Sequence, residues 1–444
     1  HLGSRDHLFQ CKIIFSLVSL RCSSRGESAM AGELPGEVLE ELDSKSPAAL
    51  SAEERLTLAK KCLRCVEFSR KMPVYMKIGG CYEKDFNLRG DELRQADLYH
   101  KRAKPPADAN FCFMSYVWDE PGKPGHGDFK WSSSSSYNSA VSWTMCSGAG
   151  LAFHRGSDAC DYLWWDKFSS PQTDDLIPVV AKWNFFFLEY IALAKKMVVI
   201  LSPNYVCRLW CLYELSTFLA LKDVRDLSVC CDWFMDKAKI PVSAYVECIS
   251  KMSVHSAQCT KESDKAILDA MIVENYISVE RFDAFVKIAI VVLVTKTIAI
   301  SSAISSMIVV AGSNKESESK YASMYQAMRD FAASLGNDAF TSKLQEAWEY
   351  AGKVVAECHK QKEEDEEEGF NSDAAVDKIE DYFARHVGPK LREMQLDCLR
   401  RDGSLAQMRE ALGAPALPSA KEAAARTPVR AICGCFSRRY VATE

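Results

Sequence analysis

The sequence predicts an α/β fold in which a parallel, doubly wound sheet is flanked by helical regions. Short apolar segments rich in β-branched and aromatic residues alternate with segments of helical periodicity between residues 108 and 250. One of these segments, residues 197–201, is apolar throughout. Such a run is expected of a strand that helices cover on both faces. The chain before and after this region shows mainly helical patterns, so the sheet is expected to lie in the middle of the sequence.

Length and composition limit the classes of protein to consider. The chain has 444 residues, which at about 150 residues per domain suggests more than one domain. It is 48% hydrophobic and 26% charged, as globular proteins are. A formal net charge of -5 argues against non-specific nucleic-acid binding, which needs a basic surface. The 18 cysteines are scattered over a long chain, so we expect reduced thiols in a cytosolic protein.

The first predicted element is a helix over residues 46–72. Ser51 and Glu54 have the spacing of a capping box, and apolar residues recur behind them at helical spacing. Cys62 and Cys65 have the spacing of a zinc-ligand pair, but neither a second such pair nor a pair of histidines completes a site. We therefore expect both cysteines to lie on the buried face of this helix.

The central region contains four predicted strands and two predicted helices. In chain order they are a strand at 111–117, a strand at 161–166, a helix at 175–194, a strand at 197–201, a helix at 205–221 and a strand at 227–231. A fifth strand at 241–249 is a weaker candidate. The alternation of strands and helices predicts that the strands are parallel.

An unusually apolar segment follows a predicted helix at 262–287. Residues 288–310 are long enough to cross a bilayer, but Lys296 lies near the centre. A lysine there costs about 2.5 to 3.5 kcal/mol on an insertion scale. A buried core segment is the favoured interpretation. A membrane span and an error in the translated sequence are the alternatives.

These patterns divide the chain into five segments. They are a leader at 1–29 that is non-native or disordered, a helical region and linker at 30–105, the α/β domain at 108–250, a helix with the apolar segment at 251–311, and a helical region with an acidic linker and a disordered tail at 312–444. An apolar stretch at residues 13–18 leaves a signal or anchor segment as the alternative for the leader.

One helix combines residues suited to chemistry. It follows the apolar strand at 197–201, and ligands of doubly wound sheets bind at the carboxyl ends of the strands. Trp210 and Glu214 lie four residues apart on this helix and therefore share one face. An aromatic plane beside a carboxylate suits a ligand with a flat ring and a ribose or a developing cation.

These residues also carry a family resemblance. Ser202-Pro-Asn-Tyr205 followed by Leu209-Trp-Cys-Leu-Tyr-Glu-Leu215 resembles the third strand and helix of Toll/interleukin receptor (TIR) domains. Phe113-Met-Ser-Tyr116 with Asp119 resembles the first strand and its loop, and Leu163-Trp-Trp-Asp166 resembles the second strand. The resemblance covers residues 108–250. It implies a flavodoxin-like fold of five parallel strands.

The resemblance implies two alternative functions. TIR domains are either assembly modules of immune or stress signalling or enzymes that cleave NAD⁺ at the nicotinamide–ribose bond. In the enzymes Glu214 would be catalytic, and the NAD⁺ site would be formed by Ser115, Tyr116, Trp118, Asp119, Asp166 and Trp210. NAD⁺ would be the substrate, with no separate cofactor or metal. The resemblance further implies self-association, with protein partners of unknown identity. The net charge of the chain predicts no nucleic-acid partner, and its cysteine usage predicts a cytoplasmic location. Membrane association through residues 288–310 is the alternative location.

A structural interpretation of the same helix stays open. Tryptophan, cysteine and leucines after a buried strand are typical of a core. In this interpretation Glu214 is either solvated or paired with Arg208 or Lys182. Residues 121–150 are rich in Gly, Pro and Ser where the family has its first helix. Other chemistries lack their motifs, because the chain contains no GxGxxG, GxxxxGK[ST], HExxH or GxSxG sequence. The two readings are therefore an NAD⁺ nucleosidase and a non-catalytic interaction scaffold.

Overall fold

The structure is a computed structural model, and it describes a defined part of the chain. The described residues are 40–41, 44–45, 49–67, 102–103, 105–117, 160, 162–164, 186–201, 205–230, 247, 249–259, 262–308, 314–336, 338–364, 372–415 and 417. The expected leader at 1–29 and the tail after residue 417 lie outside them.

Six strands form one sheet. They are β1 (Cys65–Glu67), β2 (Arg102–Ala103), β3 (Phe111–Ser115), β4 (Tyr162–Trp164), β5 (Lys196–Ile200) and β6 (Leu227–Cys230), in the spatial order β2-β1-β4-β3-β5-β6. The four strands β4, β3, β5 and β6 are parallel, while β1 pairs antiparallel with β4 and β2 pairs antiparallel with β1. Along the chain β3 is the first of the four parallel strands, and in the sheet it lies between β4 and β5, the second and third of them. This confirms the doubly wound, flavodoxin-like α/β fold that the sequence predicts.

Ten α-helices accompany the sheet in the described part of the chain. They are α1 (Ala52–Cys62), α2 (Phe187–Leu193), α3 (Leu209–Leu221), α4 (Glu262–Asn275), α5 (Val279–Ile308), α6 (Asn314–Ser334), α7 (Asp338–Glu364), α8 (Ser372–Tyr382), α9 (Gly388–Leu396) and α10 (Ser404–Ala411). A π-helical turn, Phe383–Val387, joins α8 to α9, and short 3₁₀ turns precede α3 and β6.

The N-terminal helix begins as predicted but ends early. The backbone N–H of Glu54 donates to Ser51 Oγ at 3.2 Å, and the N–H of Ser51 donates to Glu54 Oε2 at 2.8 Å, which completes the capping box. The helix ends at Cys62, so the predicted length and the helical placement of Cys65 are wrong. Residues 65–67 are extended because they pair with the open edge of β4. Cys62 and Cys65 are both fully buried, as expected.

The predicted helix at 262–287 is interrupted. The break falls at residues 276–278, between α4 and α5, where the N–H of Ile277 donates to the carbonyl of Cys398 at 2.9 Å. Ser278 then accepts from the N–H of Arg281 at 3.2 Å and caps α5. The fifth strand expected at 241–249 is also wrong in its described part. Glu247 and Ile249 are helical, and the carbonyl of Glu247 accepts from the N–H of Lys251 at 2.9 Å.

The apolar segment forms most of α5 and lies inside the protein. The helix packs against α6, α7, α8 and the edge strand β6. Lys296 Nζ lies 3.2 Å from Glu380 Oε1 and donates to the carbonyl of Leu227 at 3.3 Å. Among the described helices, the stretch Val279–Ala303 is also long and apolar enough to cross a membrane, although 78% of an apolar 18-residue window within it is buried here. The core of a soluble protein shows the same pattern, so membrane association stays a prediction.

The C-terminal helices hold the carboxyl end of α3. Gln395 Nε2 donates to the carbonyl of Ser216 at 2.5 Å, Arg409 donates to that of Ala220, and Arg392 donates to that of Lys222. The carbonyls of the last turn of a helix have no partner within the helix, so Arg409 caps α3 at Ala220. Arg392 binds the residue that follows the helix, and Gln395 binds a carbonyl one turn earlier. The described residues of sheet and helices share one hydrophobic core. The five segment boundaries stay a prediction.

Candidate functional site

The candidate site lies where β3 and β5 end. These two strands are neighbours in the sheet, and their connections leave in opposite directions. Doubly wound sheets bind ligands in the crevice at such a point. Ser115 is the last residue of β3, and α3 begins a few residues after β5. Both elements therefore place their side chains at the same edge of the sheet.

The start of α3 is fixed by backbone pairing. A 3₁₀ turn, Tyr205–Cys207, leads into the helix. The N–H of Leu209 donates to the carbonyl of Gln258 at 3.1 Å, and the N–H of Gln258 donates to the carbonyl of Cys207 at 2.8 Å. This short bridge replaces a side-chain cap, since Arg208 makes none. It sets the position of the first turn and hence of the side chains that it carries.

Only one face of α3 reaches solvent. Eleven of its 13 residues are buried, and the two that are not are Trp210 and Glu214. The leucines and Phe218 on the other faces pack into the core. The prediction that Trp210 and Glu214 share a face is thus confirmed, and that face opens at the edge of the sheet where ligands are expected.

The Glu214 carboxylate is tied to β3 through a hydroxyl. Ser115 Oγ donates to Glu214 Oε2. The same Oγ lies 2.8 Å from the hydroxyl of Tyr205, which donates to the carbonyl of Cys211 at 3.0 Å. Ser115 and Tyr205 are buried, and Glu214 is half-buried. The carboxylate is therefore bound in a fixed orientation, whereas the sequence alone left a solvated glutamate open. Lys182, one of its two suggested partners, lies outside the described residues.

The hydroxyl protons in this series of hydrogen bonds can be counted. Three contacts join Glu214, Ser115, Tyr205 and the carbonyl of Cys211, but the two hydroxyls supply only two protons. When Glu214 is ionised, the Ser115 hydroxyl donates its hydrogen bond to the carboxylate. The Tyr205 hydroxyl then has one proton for two acceptors, Ser115 Oγ and the carbonyl of Cys211. A proton on Glu214 would let all three contacts be hydrogen bonds. The directions of the hydrogen bonds among Glu214, Ser115 and Tyr205 therefore depend on the charge on Glu214.

Tyr205 stays protonated in this environment. Burial raises the pKa of its phenol well above the usual value, and the neighbouring Cys211 and Glu214 raise it further. The hydrogen bond between the Ser115 and Tyr205 hydroxyls opposes this pKa shift only in part. Tyr205 therefore acts as a hydrogen-bond donor and not as a base.

The indole of Trp210 is held on two sides. Its Nε1 donates to Asp264 Oδ2 on α4 at 3.2 Å. Its ring meets Phe187 edge to face, with the ring centres 5.2 Å apart. Phe187 contacts Phe113 and Trp164 in turn, so the indole is continuous with an aromatic cluster of the core. The indole of Trp210 is therefore held in a fixed orientation on the same face of α3 as Glu214.

Part of the predicted site can be placed and part cannot. The structure brings Ser115 and Glu214 together, and Cys211 Sγ donates to the carbonyl of Tyr116 at 3.5 Å, which holds the end of β3 near α3. Trp118, Asp119 and Asp166 lie outside the described residues, and their roles stay predictions. Tyr205 and Asp264 were missed as site residues. Tyr205 belongs to the quoted motif, but no sequence signal marks Asp264. Among the described residues, no group of three or more His, Cys, Asp or Glu side chains is arranged to hold a metal ion.

The fold and the site together define a class of protein. It is a flavodoxin-like α/β domain with a tethered carboxylate and a fixed indole at the switch point of its sheet. The family model of the TIR domain matches residues 187–230, which span α2, β5, α3 and β6, and the chain contains a TIR-like domain. TIR domains generally mediate self-association and protein interactions, and the match over residues 187–230 supports a TIR-like signalling protein. Comparison with curated proteins and with solved structures gave no match.

Proposed function

We propose that the protein is a TIR-type NAD⁺ nucleosidase that cleaves the nicotinamide–ribose bond. The observation that carries this proposal is the exposure pattern of α3, where Trp210 and Glu214 alone reach solvent at the switch point of the sheet. A helix that served only as core would not need a carboxylate tethered to the end of β3 at this place. The family match supports the same reading without deciding between its two functions.

Glu214 would supply the main electrostatic contribution. Breaking the bond between ribose C1′ and the nicotinamide nitrogen leaves positive charge on the ribose, and the electron pair leaves with nicotinamide. A carboxylate fixed beside C1′ stabilises that charge without having to reorganise during the reaction. Ser115 holds the Glu214 carboxylate in place, and Tyr205 supports Ser115. Water then adds to C1′, so that the products are nicotinamide, ADP-ribose and a proton.

Trp210 would bind the leaving group. The nicotinamide ring of NAD⁺ is flat and positively charged, and the face of an indole attracts such a ring. The hydrogen bond to Asp264 and the contact with Phe187 keep the indole from rotating. Trp118, Asp119, Tyr116 and Asp166 are proposed to line the rest of the NAD⁺ site.

The test is nicotinamide release by the full chain. We expect Glu214→Gln to lower the rate by about 100-fold or more, because it removes a preorganised charge and keeps the shape. Glu357→Gln on the exposed face of α7 is the matched control and should keep the wild-type rate. Circular dichroism checks that both variants fold. Equal rates for Glu214→Gln and wild type would contradict the assignment of the carboxylate.

The second candidate is a non-catalytic TIR-type scaffold for signal transduction. It is supported by the same family match, because TIR domains generally mediate self-association. It predicts assembly of the chain at high concentration and no consumption of NAD⁺ at any concentration. Light scattering on the sample used for the nicotinamide assay separates the two candidates.

We further propose a cytoplasmic location. Eight cysteines in the described part of the chain carry reduced thiols that form no disulfide bond, as expected in a reducing compartment. Recovery of the protein in the soluble fraction without detergent would support this. Recovery only with detergent would favour the alternative of membrane association through residues 288–310.

A further inference from the structure

A cavity lies between the carboxyl end of α3 and the first residues of α9. It has a volume of about 160 Å³, and the turn before β6 and the π-helical turn complete its walls. Lys222 in its lining follows Glu214 by eight residues, which is about 12 Å along a helix, so the cavity is separate from the candidate site. An apolar cavity of roughly 150 Å³ holds one benzene molecule. This cavity therefore has room for a small organic molecule.

Two unusual backbone features shape one wall of the cavity. Pro389 has no N–H and cannot continue a regular α-helix, and the chain before it forms the π-helical turn, in which the N–H of Gly388 donates to the carbonyl of Phe383. Turns of this kind are rare and often lie at functional sites. Gly388 also lets α9 approach the turn before β6, because a Cβ there would lie 2.8 Å from Val224 Cγ1. The residues that line the cavity thus include the two that set its backbone.

Half of the lining is apolar. The side chains that carry no polar group are those of Leu219, Val224, Ala384, Pro389 and Leu391, and all except Pro389 are buried. A compact and strongly hydrated ion such as phosphate would lose its water against these walls without gaining hydrogen bonds in return. The walls therefore favour a ligand with an apolar body.

The charged part of the lining is formed by Lys222, Asp223 and Arg392. Lys222 is half-buried, and no carboxylate of the described residues forms an ion pair with it. Burial lowers the pKa of its ammonium, and the more distant Asp226 opposes this shift. Arg392 uses one of its five N–H donors on the carbonyl of Lys222. Asp223 is exposed, and its Oδ1 accepts from the N–H of Arg225 at 2.9 Å.

The charges just outside the lining offset each other. Burial lowers the pKa of Arg409, and the charge of Arg392 lowers it further. Burial raises the pKa of Asp226, and the charge of Asp223 raises it further. With Arg409 and Asp226 balanced, the lining keeps two cations against one exposed carboxylate. A ligand with a single negative charge would neutralise the excess.

We propose that this cavity binds a small monocarboxylate whose apolar body is about the size of a benzene ring. The carboxylate lies between Lys222 and Arg392, where it accepts charge-assisted hydrogen bonds, and the body fills the apolar part. Arg392 and Gln395 also bind carbonyls at the end of α3, so an occupied cavity stabilises the helix that carries Glu214. The proposal does not rest on the proposed nucleosidase activity, because its readout is binding.

The experiment titrates benzoate into the full chain by isothermal titration calorimetry. We expect a dissociation constant of about 1 mM or lower, since the ligand gains both a paired charge and a buried ring. Phosphate has the charge without the ring, and benzyl alcohol has the ring without the charge. Each should bind at least tenfold more weakly than benzoate. Absence of benzoate binding at about 10 mM, or equal binding of either comparison compound, would overturn the proposal.

Variants of one lysine place the binding in this cavity. Lys222→Met removes the charge and should weaken benzoate binding at least tenfold, whereas Lys222→Arg keeps the charge and should bind within about threefold of wild type. Lys353→Met on the exposed face of α7 is the matched control and should bind like wild type. Lys222 is only half-buried, so the fold should tolerate both changes, and circular dichroism checks this. Wild-type affinity in Lys222→Met, or equal loss in Lys222→Arg, would refute the assigned contact.

Discussion

A buried charge in α5 gives the most direct test of how the apolar segment is placed. Lys296 is 5% exposed and lies among valines, isoleucines and alanines of the same helix. Its ammonium is 3.2 Å from Glu380 Oε1 on α8 and donates to the carbonyl of Leu227 on β6 at 3.3 Å. The Glu380 side chain is 30% exposed. The perturbation is Glu380→Gln, which removes the charge that faces Lys296 and keeps the shape.

The expected loss of stability is about 2 kcal/mol, worked from two limits. Breaking a fully buried ion pair costs about 3 to 5 kcal/mol because it leaves a charge unpaired. Breaking an exposed pair costs about 0.2 to 1 kcal/mol. This pair lies between the limits, because Lys296 is buried while Glu380 reaches water. Lys296→Met removes the buried charge itself and should cost about 1 kcal/mol, mainly for the lost hydrogen bond to Leu227.

The assay is a double-mutant cycle in the full chain, read as the free energy of unfolding by denaturant. Once Lys296 is methionine, the further change Glu380→Gln should cost almost nothing, so the coupling energy should be about 2 kcal/mol. Glu357→Gln is the control, since its partner Lys378 lies 3.6 Å away on the exposed surface. The control should stay within about 0.5 kcal/mol of wild type. Additive effects in the double variant would refute the placement of Lys296 on α5 against Glu380 on α8.

Two further predictions concern α9 and the tether of the candidate site. Gly388→Ala should destabilise the chain by about 1 to 3 kcal/mol, because its new Cβ would lie 2.8 Å from Val224 Cγ1. Gly352→Ala in α7 is the control, since its new Cβ meets no atom within 4 Å, and it should stabilise the chain by about 0.5 to 1 kcal/mol. Thermal unfolding measures both changes. Ser115→Ala should lower kcat for nicotinamide release about tenfold or more with KM little changed, since the hydroxyl only orients Glu214; an unchanged kcat in steady-state kinetics would remove Ser115 from the site.

The sheet could be predicted where the sequence is strongly patterned. The apolar run at 197–201 corresponds to β5, and the predicted strand at 227–231 corresponds to β6. The three residues of β1 could not be predicted, because they are extended only through their pairing with β4. The break between α4 and α5 contains neither glycine nor proline. It depends on the bond from Ile277 to Cys398, which lies far away along the chain.

The candidate site could likewise be predicted from the sequence only in part. The shared face of Trp210 and Glu214 follows from their spacing, and their family resemblance drew attention to it. The role of Tyr205 depends on Ser115, which lies 90 residues away in the sequence. Asp264 reaches Trp210 from a helix with no motif of its own. Spacing along one helix is visible in a sequence, whereas contacts between elements require the fold.

The cap on α3 has a consequence for the synthesis of the chain. Gln395 and Arg409 donate to carbonyls that precede them by 179 and 189 residues. At about 5 to 20 residues per second, a ribosome makes Arg409 about 10 to 40 s after Ala220. During that interval the nascent chain holds α3 with its carboxyl end uncapped and β6 without α5 against it. The newly made α/β domain therefore exposes surfaces that α5, α9 and α10 later cover, and it reaches its final structure only when translation has passed α10.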